Sequence, residues 1–343
     1  PPPQPPCAPG LLPGLPPRLP PGRGADDMGL FAGKCRSAAR LDGKTVVITG
    51  CNTGIGKSTA LHLCRIGARV VMACRDVQKA EEAAAEIRAG VAGAPGAGQL
   101  VVRRLDLAHL QSVRECARDI LDEEAAIHVL INNAGVMACP RMETEDGLEL
   151  QLGVNHFGHF LFTCLLLPRL IQSAPARVVT VSSLAHTSGR INFDDLNSER
   201  SYEPFKAYQQ SKLANVLFSA ELARRLRAAH PNGDGAGVTT YAVHPGIVKT
   251  ELGRHLDGLY FKGARAAVGL VLGPFLKTPE QGAQTTIHCA IDEKAAGQTG
   301  LYYSDCKVKR PSAKAQDEEV ARRLWEESVK IVKLGDYDPF KPA

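Results

Sequence analysis

The stretch Thr49-Gly50-Cys51-Asn52-Thr53-Gly54-Ile55-Gly56 lies between two runs of contrasting character. Before it, Thr45-Val46-Val47-Ile48 is apolar and β-branched and reads as a buried parallel strand. After it, Lys57-Ser58-Thr59-Ala60-Leu61-His62-Leu63-Cys64 reads as a helix with Leu61 and Cys64 among its apolar positions. A strand, a glycine loop and a helix N-terminus together form an anion site: backbone N–H groups and the helix dipole converge, and glycines let a pyrophosphate approach the chain. The spacing is G-x-x-x-G-x-G rather than the usual dinucleotide G-x-G-x-x-G. Alone, the stretch is also compatible with an ordinary glycine turn, so later segments have to decide.

Outward from this loop, strands and helices alternate. A helix over about 54–67 ends near Gly67, and strand Arg69 to Cys74 follows. Asp76 is placed to cap a helix that runs to about Arg88. Gly90 to Gly98 is a glycine-rich surface loop, and Leu100 to Leu105 a third strand. A helix at about 109–125 leads to strand Val129 to Asn132, and a long helix at about 146–173 is expected to bend near Pro168. Strand Arg177 to Val181, helix 205–229, strand Val238 to Val243, helix 279–291, a short strand at Leu301 to Tyr303 and a tail helix at 317–333 complete the series. This succession specifies an α/β fold: a doubly wound, Rossmann-like parallel sheet of about seven strands with helices on both faces, in one domain over 41–305.

The composition narrows the class. With 343 residues, 44% of them hydrophobic, the chain can bury a large core. Its net charge of +5 comes without the clustered basic stripe of a nucleic-acid binder, so nucleic acid is not expected as a partner. The ten cysteines are scattered with no C-x-x-C pair and read as reduced core thiols in a reducing compartment. Residues 1–24 contain 11 prolines and read as a disordered or polyproline-like leader. Residues 28–41, with Lys34, Arg36 and Arg40, read either as the cytoplasmic flank of a membrane anchor or as a solvated linker. No run of 18 apolar residues occurs; because the chain begins with Pro1 rather than Met, this does not argue against membrane attachment. Residues 306–343 form a C-terminal helix and tail.

Tyr208 and Lys212 are four apart on a predicted helix and share a face. A phenol is a poor base at neutral pH, and a nearby ammonium favours its anion, so the pair can move a proton to or from an alcohol or carbonyl oxygen. Such a pair is common on helices, and its surroundings give it weight. Asn132-Asn133-Ala134-Gly135 ends the fourth strand, Ser182-Ser183 the fifth, and His244-Pro245-Gly246 the sixth. With the glycine loop, these turns share the carboxyl edge of the sheet, where open parallel sheets bind ligands.

On these residues the chain resembles the short-chain dehydrogenase/reductase family, whose motifs TGxxxGxG, NNAG, a strand-five serine, YxxxK and a PG turn all occur here. Within it, Ala73 to Val77, Val154 to Phe160, Ser183 to His186, Ser211 to Asn215, Thr239 to Gly246, Ser304 to Cys306 and Ala321 to Trp325 resemble microsomal, NADP-preferring retinol dehydrogenases. The resemblance implies that Tyr208 is the general acid or base, that Lys212 lowers its pKa and holds the nicotinamide ribose, and that Ser183 hydrogen-bonds the substrate oxygen. It also implies that Asn155 holds a water in a proton relay. Ser182 competes with Ser183, but the family places the active serine second in such a pair.

Cofactor contacts are expected from Gly50, Asn52, Thr53, Gly54, Ile55, Gly56, Lys57, Ala134, Gly135, Pro245, Gly246, Ile247 and Thr250, with Asp106 and Asn132 on the adenine side. Where NAD enzymes carry an acidic residue at the end of the second strand, this chain has Cys74 and then Arg75, which suits the 2′-phosphate of NADP(H). His156 and His159 have a metal-ligand spacing, but no third ligand accompanies them and no metal is expected. Residues 250–278, mixing Arg254, Lys262, Arg265 and Lys277 with apolar residues such as Leu259, Tyr260 and Phe261, are read as a substrate lid that also touches a bilayer, with a packed helix or dimer contact as the alternative. The expected activity is hydride transfer between NADP(H) and an apolar alcohol/aldehyde pair, retinol/retinal above all, with steroid or lipid carbonyls as the near alternative and a non-catalytic cofactor-binding scaffold as the distant one. The resemblance implies an endoplasmic reticulum membrane location with the domain facing the cytosol, and allows a homodimer.

Overall fold

The computed structural model describes residues 33–230, 235–249 and 276–341. The proline-rich leader, Thr250 and most of the expected lid lie outside these residues. The elements in order are β1 (Thr45–Thr49), α1 (Gly54–Arg65), β2 (Arg69–Cys74), α2 (Val77–Val91), β3 (Gln99–Arg104), α3 (Leu110–Glu123) and β4 (Val129–Asn132). Next come α4 (Leu150–Leu152), a π-helical segment over Gly153–Gly158, α5 (His159–Gln172), β5 (Ala176–Val181) and α6 (Pro204–Ala229). The chain continues through β6 (Val238–His244), α7 (Pro279–Ile291), α8 (Glu293–Ala296), β7 (Leu301–Ser304), β8 (Lys307–Val308) and α9 (Glu318–Ile331).

The eight strands form one sheet in the order β3-β2-β1-β4-β5-β6-β7-β8. All neighbours are parallel except β7 and β8, which pair antiparallel. The two-residue β8 is the strand beyond the seven expected. The order reverses between β1 and β4, so the switch point, and the crevice it opens, lies at their carboxyl ends. Strand alternation builds two cores. Val46 and Ile48 of β1 face one side with Leu63, Met72 and Ile287, under α1, α2 and α7. Val47 faces the other with Leu130, Phe160 and Leu217, under α3, α5, α6 and α9.

The helices start where local chemistry satisfies their first amides. Asp76 accepts from Lys79 N–H at the start of α2, and Thr278 and Gln281 form a reciprocal capping box on α7. The tail helix α9 is part of the fold: Trp325 stacks on Phe218 with ring centroids 5.9 Å apart and meets Phe160 edge-on at 4.8 Å.

The expected helix over 146–173 departs most from the reading. It begins only at Leu150, where the Glu149 carboxylate accepts from Gln151 and Leu152 N–H. The departure from α geometry lies at Gly153–Gly158, not at Pro168, which sits inside α5. Wide turns of this kind occur where tertiary contacts override the local ladder. Here Asn155 is fixed by residues outside its own helix, and a Cβ on Gly158 would stand 2.6 Å from the Leu107 carbonyl oxygen. Leu150–Gln172 is long and apolar enough to cross a membrane, yet 83% of its apolar window is buried, as befits a core helix.

Residues 33–40 run as a strap along α7 and α8. Cys35 N–H donates to Gln284 Oε1 at 3.1 Å and Ser37 Oγ to Glu293 at 3.1 Å, while Lys34, Arg36 and Arg40 point outward. Nine cysteines fall among the described residues and all are free thiols.

Candidate active site

The carboxyl edge at the switch point is built by hydrogen bonds from Thr49. Its hydroxyl oxygen accepts from the backbone N–H of Asn133 at 2.9 Å and of Ala134 at 3.0 Å. In return Asn133 Nδ2 donates to the carbonyls of Thr49 and Gly50, at 2.8 and 3.1 Å. The Asn132-to-Gly135 turn therefore lies directly on the glycine loop. Gly50 has φ +62°, and a Cβ there would stand 2.7 Å from the Ala134 Cβ, so only glycine permits both the backbone shape and the approach.

Beside this junction is a cleft of about 870 Å³ whose lining includes Gly50, Asn52, Thr53, Arg75, Asp106, Ala134 and Gly135. Thr53, at the N-cap of α1, makes no side-chain bond to the helix, so the first-turn amides are left for an anion. The glycine cradle, the uncapped helix and the size of the cleft fit a nicotinamide dinucleotide. Arg75 is exposed on the rim at the end of β2. Cys74 before it is buried against Cys51, with the sulfurs 3.9 Å apart, and Asp76 after it is engaged in capping α2.

Two expected contacts sit elsewhere. Lys57 pairs with Glu86 at 2.5 Å and does not line the cleft. Asn132 is fully buried, with Nδ2 donating to Thr163 Oγ1 at 2.9 Å, so its side chain faces the core rather than an adenine. Gly54, Ile55 and Gly56 open α1 next to the loop. Gly56 packs on Asn133, where a Cβ would stand 2.5 Å from Nδ2.

The serine, tyrosine and lysine converge where β5 meets α6. Ser182 Oγ donates to the Lys212 carbonyl at 2.7 Å and is buried. Ser183 is the member that turns to the edge: its Oγ accepts from Ala185 N–H and shares a hydrogen bond with Tyr208. Lys212 Nζ lies 5.7 Å from the Tyr208 ring centroid and donates to the Val181 carbonyl at 3.1 Å. It also abuts the Gly135 turn, where a Cβ would be 3.5 Å away.

Burial sets the proton affinities here. It pushes the Tyr208 phenol up to about 12, the Ser183 hydrogen bond opposing, and the Lys212 amine down to about 8. The sequence reading expects the amine to lower the phenol; among the protein's own groups, burial of the phenol outweighs that help.

Asn155 is fully buried. Its Oδ1 accepts from Val136 N–H, and its Nδ2 donates to the Val136 carbonyl and to Ser211 Oγ, all at 2.9 Å. Ser211 in turn donates to the Tyr208 carbonyl at 2.8 Å, so Asn155 joins the cofactor turn to the helix that carries Tyr208 and Lys212.

Sequence reasoning passed over several residues that hold this edge together. His244 Nδ1 accepts from Leu184 N–H at 3.2 Å and Gly246 N–H at 3.4 Å, tying the serine loop to the Pro245-Gly246 turn. Gly246 has φ +90°, and a Cβ there would stand 2.7 Å from the Lys277 side chain. Lys277 forms a buried ion pair with Asp305 at 2.5 Å, and Ile247 beside it is 49% exposed. Far from the edge, Cys35, His288 and Asp292 converge, the carboxylate accepting from His288 Nδ1 at 2.9 Å and standing 3.8 Å from the thiol. Residues more than 250 positions apart give no spacing signal for such a group.

The doubly wound sheet, its switch-point cleft and the group beside it define a nicotinamide-dependent oxidoreductase. Residues 44–258 match the family model described as short chain dehydrogenase, and the chain belongs to that family. It is 50% identical over 305 residues to human retinol dehydrogenase 11, covering 89% of this chain and 91% of that one. It is 52% identical over 300 residues to human retinol dehydrogenase 12, covering 88% and 90%. Among solved structures, an uncharacterised protein from Mycobacterium paratuberculosis is 40% identical with a TM-score of 0.67, covering 86% of this chain and 95% of that one. The Pseudomonas aeruginosa RhlG/NADP complex is 26% identical with a TM-score of 0.59, covering 77% and 94%.

Proposed function

We propose that this protein is an NADPH-dependent reductase of apolar aldehydes, with retinal the favoured substrate. When bound, the cofactor supplies the hydride. The protein's part is to hold the carbonyl and deliver the proton. Tyr208 donates its proton to the carbonyl oxygen, and Ser183 hydrogen-bonds the same oxygen and orients it. The Lys212 ammonium stabilises the phenolate left behind, and its position against Gly135 lets it also hold the ribose. Asn155 keeps the cofactor turn and the Tyr208 helix in register.

The observation that carries the cofactor choice is Arg75 on the cleft rim, with Cys74 buried where a hydroxyl-binding carboxylate would stand. The substrate class rests on the named relatives, both retinol dehydrogenases aligned over about nine-tenths of their length. An endoplasmic reticulum membrane location, with the domain facing the cytosol, belongs to the same reading.

The test is a panel of aldehydes with NADPH and NADH. All-trans-retinal with NADPH should turn over fastest. No loss of NADPH absorbance with retinal or other lipid aldehydes would defeat the reading. Turnover confined to steroid ketones would replace the substrate while keeping the chemistry. Tight NADPH binding without any turnover would make the protein a cofactor-binding scaffold.

A further inference from the structure

His159 is fully buried, and the reactions above leave it unused. Its Nε2 lies 2.8 Å from Thr49 Oγ1, and its Nδ1 lies 3.1 Å from the Asn155 carbonyl oxygen. Counting protons fixes its state. The Thr49 oxygen already accepts two backbone N–H groups, from Asn133 and Ala134, which fills both lone pairs. Its own proton must therefore point at Nε2, making that nitrogen an acceptor. The ring proton is then on Nδ1 and donates to Asn155. A second ring proton would have no acceptor on Thr49. Burial acts in the same direction and holds the imidazole down at about 4, the Asn155 carbonyl opposing and the Lys212 charge assisting.

The chain of bonds runs from the cofactor turn through Thr49 and the ring to the backbone of the π segment. The His159 backbone N–H goes to the His156 carbonyl, so the side chain, not the helix ladder, is what reaches Asn155 from this residue. Asn155 passes the constraint on through Ser211 to the Tyr208 carbonyl.

We propose that His159, as a neutral Nδ1–H imidazole, is a positioning residue that couples the dinucleotide loop at Thr49 to Asn155 and thereby sets the Tyr208–Lys212 helix against the cofactor. It touches neither cofactor nor substrate. The proposal rests on the reductase reading for its kinetic consequence, whereas its bond pattern can be tested without turnover.

Two measurements decide it. In the unaltered protein, nitrogen NMR of ¹⁵N-labelled histidine should give one His159 resonance pair with a protonated Nδ1 and a bare Nε2, unchanged from pH 5.5 to 8.5. A proton on Nε2, or titration in that range, overturns the bond pattern whatever the enzyme's activity. Kinetically, His159→Phe should lower kcat on the order of tenfold, the scale of one or two neutral hydrogen bonds, with KM for the aldehyde within about twofold on the same scale. His159→Asn keeps a donor near Nδ1 and should recover most of that loss. Thr49→Val combined with His159→Phe should cost little more than either alone, because both break one chain of bonds. Rates are taken per NADPH-binding site, so a merely unstable variant is not misread. If His159→Phe fails to fold, His159→Asn and Thr49→Val carry the kinetic test. Wild-type kcat in folded variants, or strict additivity, overturns the coupling.

Discussion

Replacing Lys212 by Met should make the protein more stable at neutral pH while abolishing its turnover. The side chain is 3% exposed, and burial holds its amine at about 8 against an ordinary value of 10.5. At about 1.4 kcal/mol for each tenfold change in a proton equilibrium, keeping the charge in the fold costs about 3 kcal/mol. The substitution also removes the hydrogen bond from Nζ to the Val181 carbonyl. That carbonyl keeps a second donor, Asn215 Nδ2 at 3.1 Å, so it is not orphaned, and the loss is about 1 kcal/mol. Met follows much of the lysine stem, which leaves a net gain of about 2 kcal/mol.

The pH dependence carries the sign. Below pH 8 the amine is charged in both folded and unfolded chains, and the full burial penalty applies. Above pH 10.5 it is neutral in both, and the penalty vanishes. Wild-type stability therefore rises through that window relative to the variant, and the advantage of Lys212→Met closes. Urea unfolding followed by the fluorescence of Trp325, the single tryptophan, at pH 7 and near pH 10 measures this directly. An equal or lower midpoint for the variant at pH 7, or a difference that ignores pH, would refute the reasoning.

Three further outcomes are expected. Tyr208→Phe should lower kcat by about 10²–10⁴-fold, the worth of a positioned proton donor, with NADPH binding nearly intact by fluorescence titration. Arg75→Ala should weaken NADPH by about 10–100-fold, the worth of charge-assisted hydrogen bonds to a phosphate, and leave NADH unchanged. Lys277→Met strands the buried Asp305 carboxylate and should destabilise the fold by about 3–5 kcal/mol; Asp305→Asn in the same chain should recover part of that loss in a denaturant titration.

The sheet was legible because its strands are buried on both faces and punctuated by glycine turns, so Thr45 to Ile48 or Arg177 to Val181 can hardly be read otherwise. The meeting of the Asn132-to-Gly135 turn, Ser183 and Tyr208 followed from the same logic, since parallel connection puts every strand's carboxyl end on one edge. What stayed hidden depends on partners distant in sequence. Lys57 is drawn away by Glu86 on the next helix, and Asn132 turns inward because Thr163 offers it an acceptor. The strap at Cys35 and the cluster it joins are fixed by residues near 290. His159 lies four residues after Asn155, a spacing that places both on one face of a helix. Its partner Thr49, 110 positions earlier, has no counterpart in any local pattern.

The wide turn at Gly153–Gly158 behaves as an insertion held in place by its surroundings. Deleting one residue there would let the backbone relax into an uninterrupted α-helix with its ladder complete, and everything beyond the deletion would rotate by about 100° about the axis. His159, Phe160 and the rest of α5 would then present the wrong sides to β1 and to Trp325. Length in this span is thus as constrained as identity: conservative exchanges are absorbed, whereas the loss of a single residue puts the two ends of the helix out of phase.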